Sequence, residues 1–175
     1  NFLDDGSVFD PVSRHLVSST RFVFNYSEAY RRGYGEHYRD WAIHGLNYLL
    51  EAHFVSETKH FAWMIREKTT DKSALAYGHA FVVLAGAHAL RAGIELGQVC
   101  LNYGYEVLEK YFFEPQWAAY ADERSSDLGS ITPYRGQNAN MHTCECLLAA
   151  YHATNRAQYL TRAGELARRF AGELA

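Results

Sequence analysis

Cysteine is scarce in this chain: there are 3 residues, an odd number. Cys144 and Cys146 lie two positions apart in a segment predicted to be helical, so their side chains point in different directions. We therefore expect them to fill small gaps in the core rather than to form a disulfide or a metal site. Sparse, unpaired cysteine is typical of proteins from a reducing compartment, and we predict a cytoplasmic location.

Basic charge is also limited, since 17 lysines and arginines stand against 20 aspartates and glutamates. The net charge of −3 excludes the basic surface that nucleic-acid-binding proteins present, so we expect no nucleic-acid partner. No apolar run approaches the roughly 18 residues that a transmembrane helix needs, so we expect no membrane partner. With only 3 prolines and 48% hydrophobic residues, the 175-residue chain is predicted to be folded and globular.

The chain also lacks the sequence signs of a metal centre. None of its 9 histidines is followed by a second histidine four positions later, which is the spacing of helical zinc ligands. We expect neither a metal ion nor a cofactor.

The chain opens at Asn1 without the charged and apolar segments of a secretory signal, and we expect an N-terminal piece to be missing.

What the sequence does contain is a repeat of helical hairpins, each with a short turn marked by glycine or asparagine. Three are predicted, at about residues 18–52, 73–112 and 140–174. Ala29-Tyr30 recurs 121 residues later as residues 150–151, and a related Ala-Leu-Arg-Ala-Gly segment starts between them at Ala89. A period of about 60 residues built from paired helices indicates a helical array. We therefore predict an all-α fold in a single domain over residues 1–175, with short strands or functional groups in the long links.

The most informative segment is residues 135–145, which read Arg-Gly-Gln-Asn-Ala-Asn-Met-His-Thr-Cys-Glu. Asn138 and Asn140 are candidate N-caps for the third hairpin, and a helix N-terminus offers free N–H groups and partial positive charge. His142 and Glu145 are three residues apart and so share one helix face. These groups suit an uncharged, polyhydroxylated ligand. The alternative is an N-capped helix in which the histidine and the glutamate merely pair.

This segment closely resembles the RGQNxNMHxxEA signature of the N-acylglucosamine 2-epimerase superfamily, and the likeness extends over about residues 10–170. Three other segments resemble the family in the same order along the chain. They are Ser-Thr-Arg-Phe-Val-Phe at 19–24 followed by Ala-Tyr at 29–30, Tyr-Gly-His-Ala-Phe at 77–81, and Tyr-Phe-Phe-Glu-Pro at 111–115. The resemblance implies an (α/α)6 barrel of six hairpins, of which this chain carries the N-terminal half. A further catalytic histidine is then expected in the other half. One departure is Lys59-His60, where relatives usually have a Gly-Gly turn.

The resemblance also implies which residues act on the substrate. Moving a proton at the carbon beside a carbonyl requires a base and a group that stabilises the enediolate oxygen. His142 is the expected catalytic base, and Arg21 is the expected catalytic cation near the reacting carbon. The alternatives are a helix-terminal histidine with its hydrogen bonds satisfied, and an arginine buried in an ion pair with Glu28 or another carboxylate. Glu145 either orients His142 or bonds backbone amides at the helix start.

Three further residues are expected to bind substrate together with Glu145. Tyr77 and His79 begin an apolar helix, which the resemblance places beside the sugar pocket. Asn138 resembles the family's substrate-binding amide. Packing and capping are the alternative for Tyr77 and His79.

The predicted function is a sugar isomerase or 2-epimerase that acts on an open-chain aldose through a cis-enediol(ate), with histidine as general base. The expected partner is a small sugar, and a homodimer is the assembly that we consider. One rival is a glycan-cleaving (α/α)6 enzyme, which needs two facing carboxyl groups, with Glu114, Asp122 and Asp127 as candidates. The other is a non-catalytic partner-binding protein or fragment, since residues 1–175 alone are expected to be inactive.

Overall fold

The computed structural model describes residues 3–173, and within them the chain forms six α-helices. They are α1 (Leu16–Arg31), α2 (His37–Tyr48), α3 (Ala76–Arg91), α4 (Gly97–Val107), α5 (Gln137–Thr154) and α6 (Ala157–Arg168). The second helix of each pair continues into a π-helical turn. These turns are Leu49–His53, Leu108–Phe112 and Arg169–Glu173. The prediction of three helical hairpins is confirmed.

Each hairpin turns at a residue in the left-handed backbone conformation. Gly33 (φ 79°) and Gly93 (φ 75°) follow α1 and α3, and Asn155 (φ 54°) follows α5. Glycine and asparagine adopt this conformation at little cost, so the chain can reverse directly after each helix. Because these connections are short, the two helices of a pair are antiparallel neighbours.

The helices α1, α3 and α5 pack side by side in one layer, and α2, α4 and α6 each pack against their own partner. We call α1, α3 and α5 the inner helices and their layer the inner layer. This arrangement explains the composition of α3, which lies in the middle of the inner layer. Its segment 78–87 is buried throughout, because neighbours cover it on both sides and α4 covers it from behind. A helix in such a position has no polar stripe. Despite this apolar segment, no helix between residues 3 and 173 has the length and hydropathy to cross a membrane.

Within residues 3–173, eight two-residue strands connect the helices. They are β1 (Arg14–His15), β2 (Phe54–Val55), β3 (His60–Phe61), β4 (Met64–Ile65), β5 (Ala74–Leu75), β6 (Phe113–Glu114), β7 (Ala119–Tyr120) and β8 (Glu123–Arg124). Local antiparallel pairs form between β2 and β3 and between β6 and β7. The pairs β1–β4 and β5–β8 are long-range, with Arg14 opposite Ile65 and Ala74 opposite Arg124. Each long-range pair joins the start of an inner helix to the link that follows its hairpin.

The two local strand pairs turn through non-glycine residues in the left-handed conformation. Lys59 has φ 57° and Ala118, at the equivalent position in the next repeat, has φ 46°. A side chain in this conformation costs roughly 1–2 kcal/mol relative to the right-handed form. The departure at Lys59-His60 therefore keeps the turn but leaves it strained.

The structure repeats with the period seen in the sequence. The three inner helices begin at residues 16, 76 and 137. The first and third begin slightly earlier than predicted, since α5 starts at Gln137 rather than at about Asn140. The N-cap of α5 is Gly136, which makes no side-chain capping bond, so the prediction that Asn138 or Asn140 caps this helix is wrong.

Candidate active site

The first halves of the three inner helices line a cavity of ≈ 310 Å³. The sixth residue of each helix contributes one layer of this wall, and the ninth residue contributes the next. The sixth residues are Arg21, Phe81 and His142, and the ninth residues are Phe24, Leu84 and Glu145. Thr20 and Asn25 of α1 complete the lining. Positions six and nine are one helical turn apart, so each helix presents a single stripe to the cavity.

The carboxylate of Glu145 orients the imidazole of His142. The distance between His142 Nδ1 and Glu145 Oε2 is 2.8 Å. A carboxylate only accepts hydrogen bonds, so Nδ1 carries a proton, and the tautomer that this contact selects has its lone pair on Nε2. The side chain of His142 is 22% exposed and that of Glu145 is 54% exposed. The pair therefore lies at the surface of the open cavity, where solutes have access to it.

Arg21 reaches the same cavity without a carboxylate partner among residues 3–173. Its guanidinium lies over the ring of Phe81, with 5.1 Å between Cζ and the ring centroid. The expected alternative, an ion pair with Glu28, is not formed. Glu28 instead binds Arg31 at 2.7 Å and His88 at 2.7 Å. The hydrogen bond from Arg31, together with the contact with His88, lowers the pKa of Glu28 to about 2.

Tyr77 and Asn138 occupy the second positions of α3 and α5, one turn before the cavity layer. The ring of Tyr77 packs against His142, with 5.2 Å between the ring centroids. Asn138 is exposed and shares a helix stripe with His142 and Glu145, because the three are spaced four and three residues apart. Both residues thus lie beside the cavity, and their contact with substrate stays a prediction.

His79 lies on the opposite side of α3 and is fully buried. Its Nδ1 donates to the carbonyl of Leu75 at 2.8 Å, and its Nε2 accepts from the backbone N–H of Phe61 at 3.1 Å. Burial lowers the pKa of His79 to about 4, which keeps the ring neutral. A substrate in the cavity has no access to this ring, so the geometry favours the packing alternative over a substrate contact.

The loop before α5 is held by the side chains of Asn140, within the motif, and Asp122, outside it, and the sequence did not indicate these roles. Asn140 is 1% exposed and pairs with the backbone of Tyr120 in both directions, accepting at 2.8 Å and donating at 3.0 Å. The carboxylate of Asp122 accepts from the N–H of Gly136 at 2.6 Å. A Cβ at Gly136 would lie 2.7 Å from the ring of Tyr134 and 3.0 Å from the carboxylate of Asp122, so a larger residue here would require these side chains to move. Asn140 therefore anchors the start of α5 to β7.

The three carboxylates considered for glycan cleavage are engaged elsewhere. Glu114 forms an ion pair with Arg135, Asp122 holds the backbone of Gly136, and Asp127 accepts from the N–H of Gly129 at 2.9 Å. None of the three is among the residues that line the cavity. Among residues 3–173, no group of three or more His, Cys, Asp or Glu side chains is placed to hold a metal ion.

The sequence reasoning missed the apolar part of the cavity wall. Phe24, Phe81 and Leu84 line it beside the polar groups. The signal that could have found them is the repeat itself, since Phe81 lies 60 residues after Arg21 and 61 residues before His142. Aligning the three repeats residue by residue would have placed Phe81 in one layer with Arg21 and His142, and Phe24 and Leu84 in the next layer with Glu145.

Comparison with known proteins identifies the family to which the chain belongs. The family model for N-acylglucosamine 2-epimerase (GlcNAc 2-epimerase) matches residues 1–175. The chain belongs to this family. It is 45% identical over 168 residues to a D-mannose isomerase of Marinomonas mediterranea, an alignment that covers 95% of this chain and 42% of the relative.

Solved structures of two sugar-converting enzymes share the fold. The crystal structure of a D-mannose isomerase superposes with a TM-score of 0.92 at 43% identity, covering 98% of this chain and 45% of that one. The cellobiose 2-epimerase of Spirochaeta thermophila superposes with a TM-score of 0.84 at 19% identity, covering 93% and 44%. The chain therefore spans less than half the length of these relatives, and its three hairpins form part of an (α/α)6 barrel.

Proposed function

We propose that the protein that carries this chain is a sugar isomerase of the aldose–ketose type, acting on an open-chain aldose through a cis-enediol(ate). The observation that supports this most is the single cavity that Arg21 shares with the His142–Glu145 pair. A base and an oxyanion-stabilising cation facing one space are what proton transfer beside a carbonyl requires.

In the proposed reaction, Nε2 of His142 removes the proton from C2 of the sugar. The electron pair of the broken C–H bond forms the C1–C2 double bond, and the carbonyl oxygen at C1 becomes the enediolate oxygen. Arg21 donates hydrogen bonds to this oxygen as its negative charge develops. Glu145 stabilises the imidazolium through its hydrogen bond to Nδ1. The C2 hydroxyl then transfers its proton to the C1 oxygen, which moves the negative charge to the C2 oxygen. His142 returns its proton to C1 as the C2 oxygen becomes the ketone carbonyl.

Isomerisation and epimerisation differ in the carbon, and in the face of the intermediate, to which the proton returns. Isomerisation can move a proton between C1 and C2 on one face of the planar intermediate. Epimerisation returns the proton to C2 from the opposite face and so needs a second group there. We propose isomerisation because the relative at 45% identity is a D-mannose isomerase.

D-Mannose is the substrate we propose, because the relative at 45% identity is a D-mannose isomerase. The wall formed by Phe24, Phe81 and Leu84 can contact the C–H faces of a neutral sugar, while Arg21 and Asn25 offer hydrogen-bond donors to its oxygens. The engagement of Glu114, Asp122 and Asp127 in the loops argues against the glycan-cleaving alternative. The cytoplasmic location and the homodimer stay predictions.

The test is to incubate the protein that carries this chain with D-mannose, N-acetylmannosamine and cellobiose in D₂O and to follow the products by NMR. Fructose formed from mannose with deuterium at C1 would support the proposal. Interconversion of N-acetylmannosamine and N-acetylglucosamine, or epimerised mannose or cellobiose with deuterium at C2, would identify a 2-epimerase instead. The absence of product and of exchange with all three sugars would refute both activities and favour the non-catalytic alternative.

A further inference from the structure

Phe81 stands at the centre of the cavity wall and touches every polar group that the proposed reaction uses except Glu145. It is 7% exposed and lies on α3, between the two helices that carry Arg21 and His142. Its ring centroid is 5.1 Å from Cζ of Arg21, 5.0 Å from the ring of His142 and 5.0 Å from the ring of Tyr77. One side chain therefore contacts three of the residues expected to act on the substrate.

The way in which Arg21 is held decides which of its hydrogen bonds remain free. A guanidinium has five N–H donors in its plane, and a bidentate carboxylate partner would occupy two of them. An aromatic ring attracts the same cation through its negative face without accepting any conventional hydrogen bond. Since no carboxylate pairs with Arg21 among residues 3–173, contact with Phe81 leaves the donors available to substrate oxygens.

A competing partner for Arg21 is present in the same cavity. Glu145 lines the wall one turn beyond His142, and its side chain is 54% exposed. An ion pair between Arg21 and Glu145 would occupy the cation and would compete with His142 for the Glu145 carboxylate. The ring of Phe81 gives the guanidinium an alternative binding position against α3.

We propose that Phe81 is a positioning residue for Arg21. Its ring holds the guanidinium over α3 and away from Glu145, so that the cation meets the enediolate oxygen and Glu145 stays with His142. This inference depends on the proposed function for its kinetic consequences, but the contact between the cation and the ring can also be tested without turnover.

The sharpest perturbation is to replace Phe81 with pentafluorophenylalanine, which nearly keeps the shape of the ring and reverses the negative electrostatic potential of its face. We expect kcat for mannose to fall roughly 3- to 30-fold, with a smaller change in KM, because the oxyanion forms after substrate binding. The same replacement at Phe112, a buried ring outside the cavity, is the matched control and should leave kcat unchanged. An unchanged kcat for the Phe81 replacement would overturn the proposal.

A double-mutant cycle separates positioning from general packing. In an Arg21→Ala background, the Phe81 replacement should cause no further loss of kcat, because the cation that the ring holds is gone. An equal loss in both backgrounds would show that the ring acts independently of Arg21 and would refute the inference.

A spectroscopic measurement keeps the inference testable if the proposed reaction is not observed. The ring of Phe81 should shift the NMR signal of the Arg21 Nε–H upfield, and Phe81→Leu should move that signal downfield. Absence of turnover in the unsubstituted protein would count against the proposed function alone, whereas an Arg21 signal that does not respond to Phe81→Leu would count against the positioning role.

Discussion

Acidification should destabilise the fold through His79, and a single substitution should remove much of this sensitivity. The ring is fully buried, with Nδ1–H bound to the Leu75 carbonyl and Nε2 accepting from the Phe61 N–H. Protonation of Nε2 would place a second donor opposite the Phe61 N–H and a charge in the core. The neutral form is therefore the one that the folded state stabilises.

The size of the effect follows from the two pKa values of His79. The pKa is about 4 in the folded protein and 6.5 for an unperturbed histidine. Since the folded pKa is lowered, the stabilisation is fully present above pH 6.5 and is lost as the pH falls towards 4. Between these values the unfolded state binds more protons, and linkage gives a loss of about 2 kcal/mol by pH 5 and about 3 kcal/mol by pH 4.

The assay is urea denaturation of the protein that carries this chain, at several pH values between 7.5 and 4. His79→Gln keeps an acceptor near the Phe61 N–H and removes the titration. The variant should be less stable than the wild type at pH 7.5, but this difference should shrink by about 2 kcal/mol at pH 5. His44→Gln, a change at an exposed histidine, is the matched control and should leave the pH dependence as in the wild type. If His79→Gln and the wild type lose stability in parallel, the assignment of the acid sensitivity to His79 is refuted.

Four further predictions concern catalysis and stability. His142→Ala should lower kcat by roughly 10²–10⁴-fold while the thermal unfolding temperature stays close to that of the wild type. His44→Ala is the control and should leave kcat unchanged. A folded, fully active His142→Ala variant would exclude His142 as the base. Asn140→Leu should lower the free energy of unfolding by about 2–4 kcal/mol, because it leaves a buried N–H and carbonyl unpaired, and a stability equal to wild type would contradict the anchor described above. Ala118→Gly should raise the free energy of unfolding by up to about 1 kcal/mol in urea titrations, and a decrease would show that the turn is not strained. Residues 1–175 produced alone should show no turnover in the D₂O assay, and robust exchange would mean that this half of the barrel is catalytically sufficient.

The parts of the structure that the sequence predicted are those encoded locally or by repetition. The recurrence of Ala29-Tyr30 at residues 150–151 identified the hairpins, because each repeat needs the same turn after the same length of helix. Arg21 and His142 were expected to act together, and the structure brings both to one cavity. The starts of the helices were less accurate, since capping through Gly136 leaves no side-chain signal.

The direction of individual side chains on the inner helices was the harder problem. His79 lies two residues after Tyr77, and Asn140 lies two residues after Asn138, so each pair points to opposite sides of its helix. The sequence could not tell which member of a pair faces the cavity, because an inner helix such as α3 is apolar on all sides. The sequence also could not predict the long-range strand pairs, because they depend on how neighbouring hairpins align.

The equivalence of the sixth residues in α1, α3 and α5 has a consequence for how such a protein can change its activity. The repeating hairpin determines which positions of the inner helices direct their side chains into the cavity. The side chains at the sixth positions differ in chemistry, since they are a guanidinium, a phenyl ring and an imidazole. Single codon changes at the guanidinium and imidazole positions alter the reaction and leave the hydrophobic core intact, whereas the phenyl ring of Phe81 also belongs to that core. The hairpin repeat thus separates the evolution of the chemistry from the evolution of the scaffold.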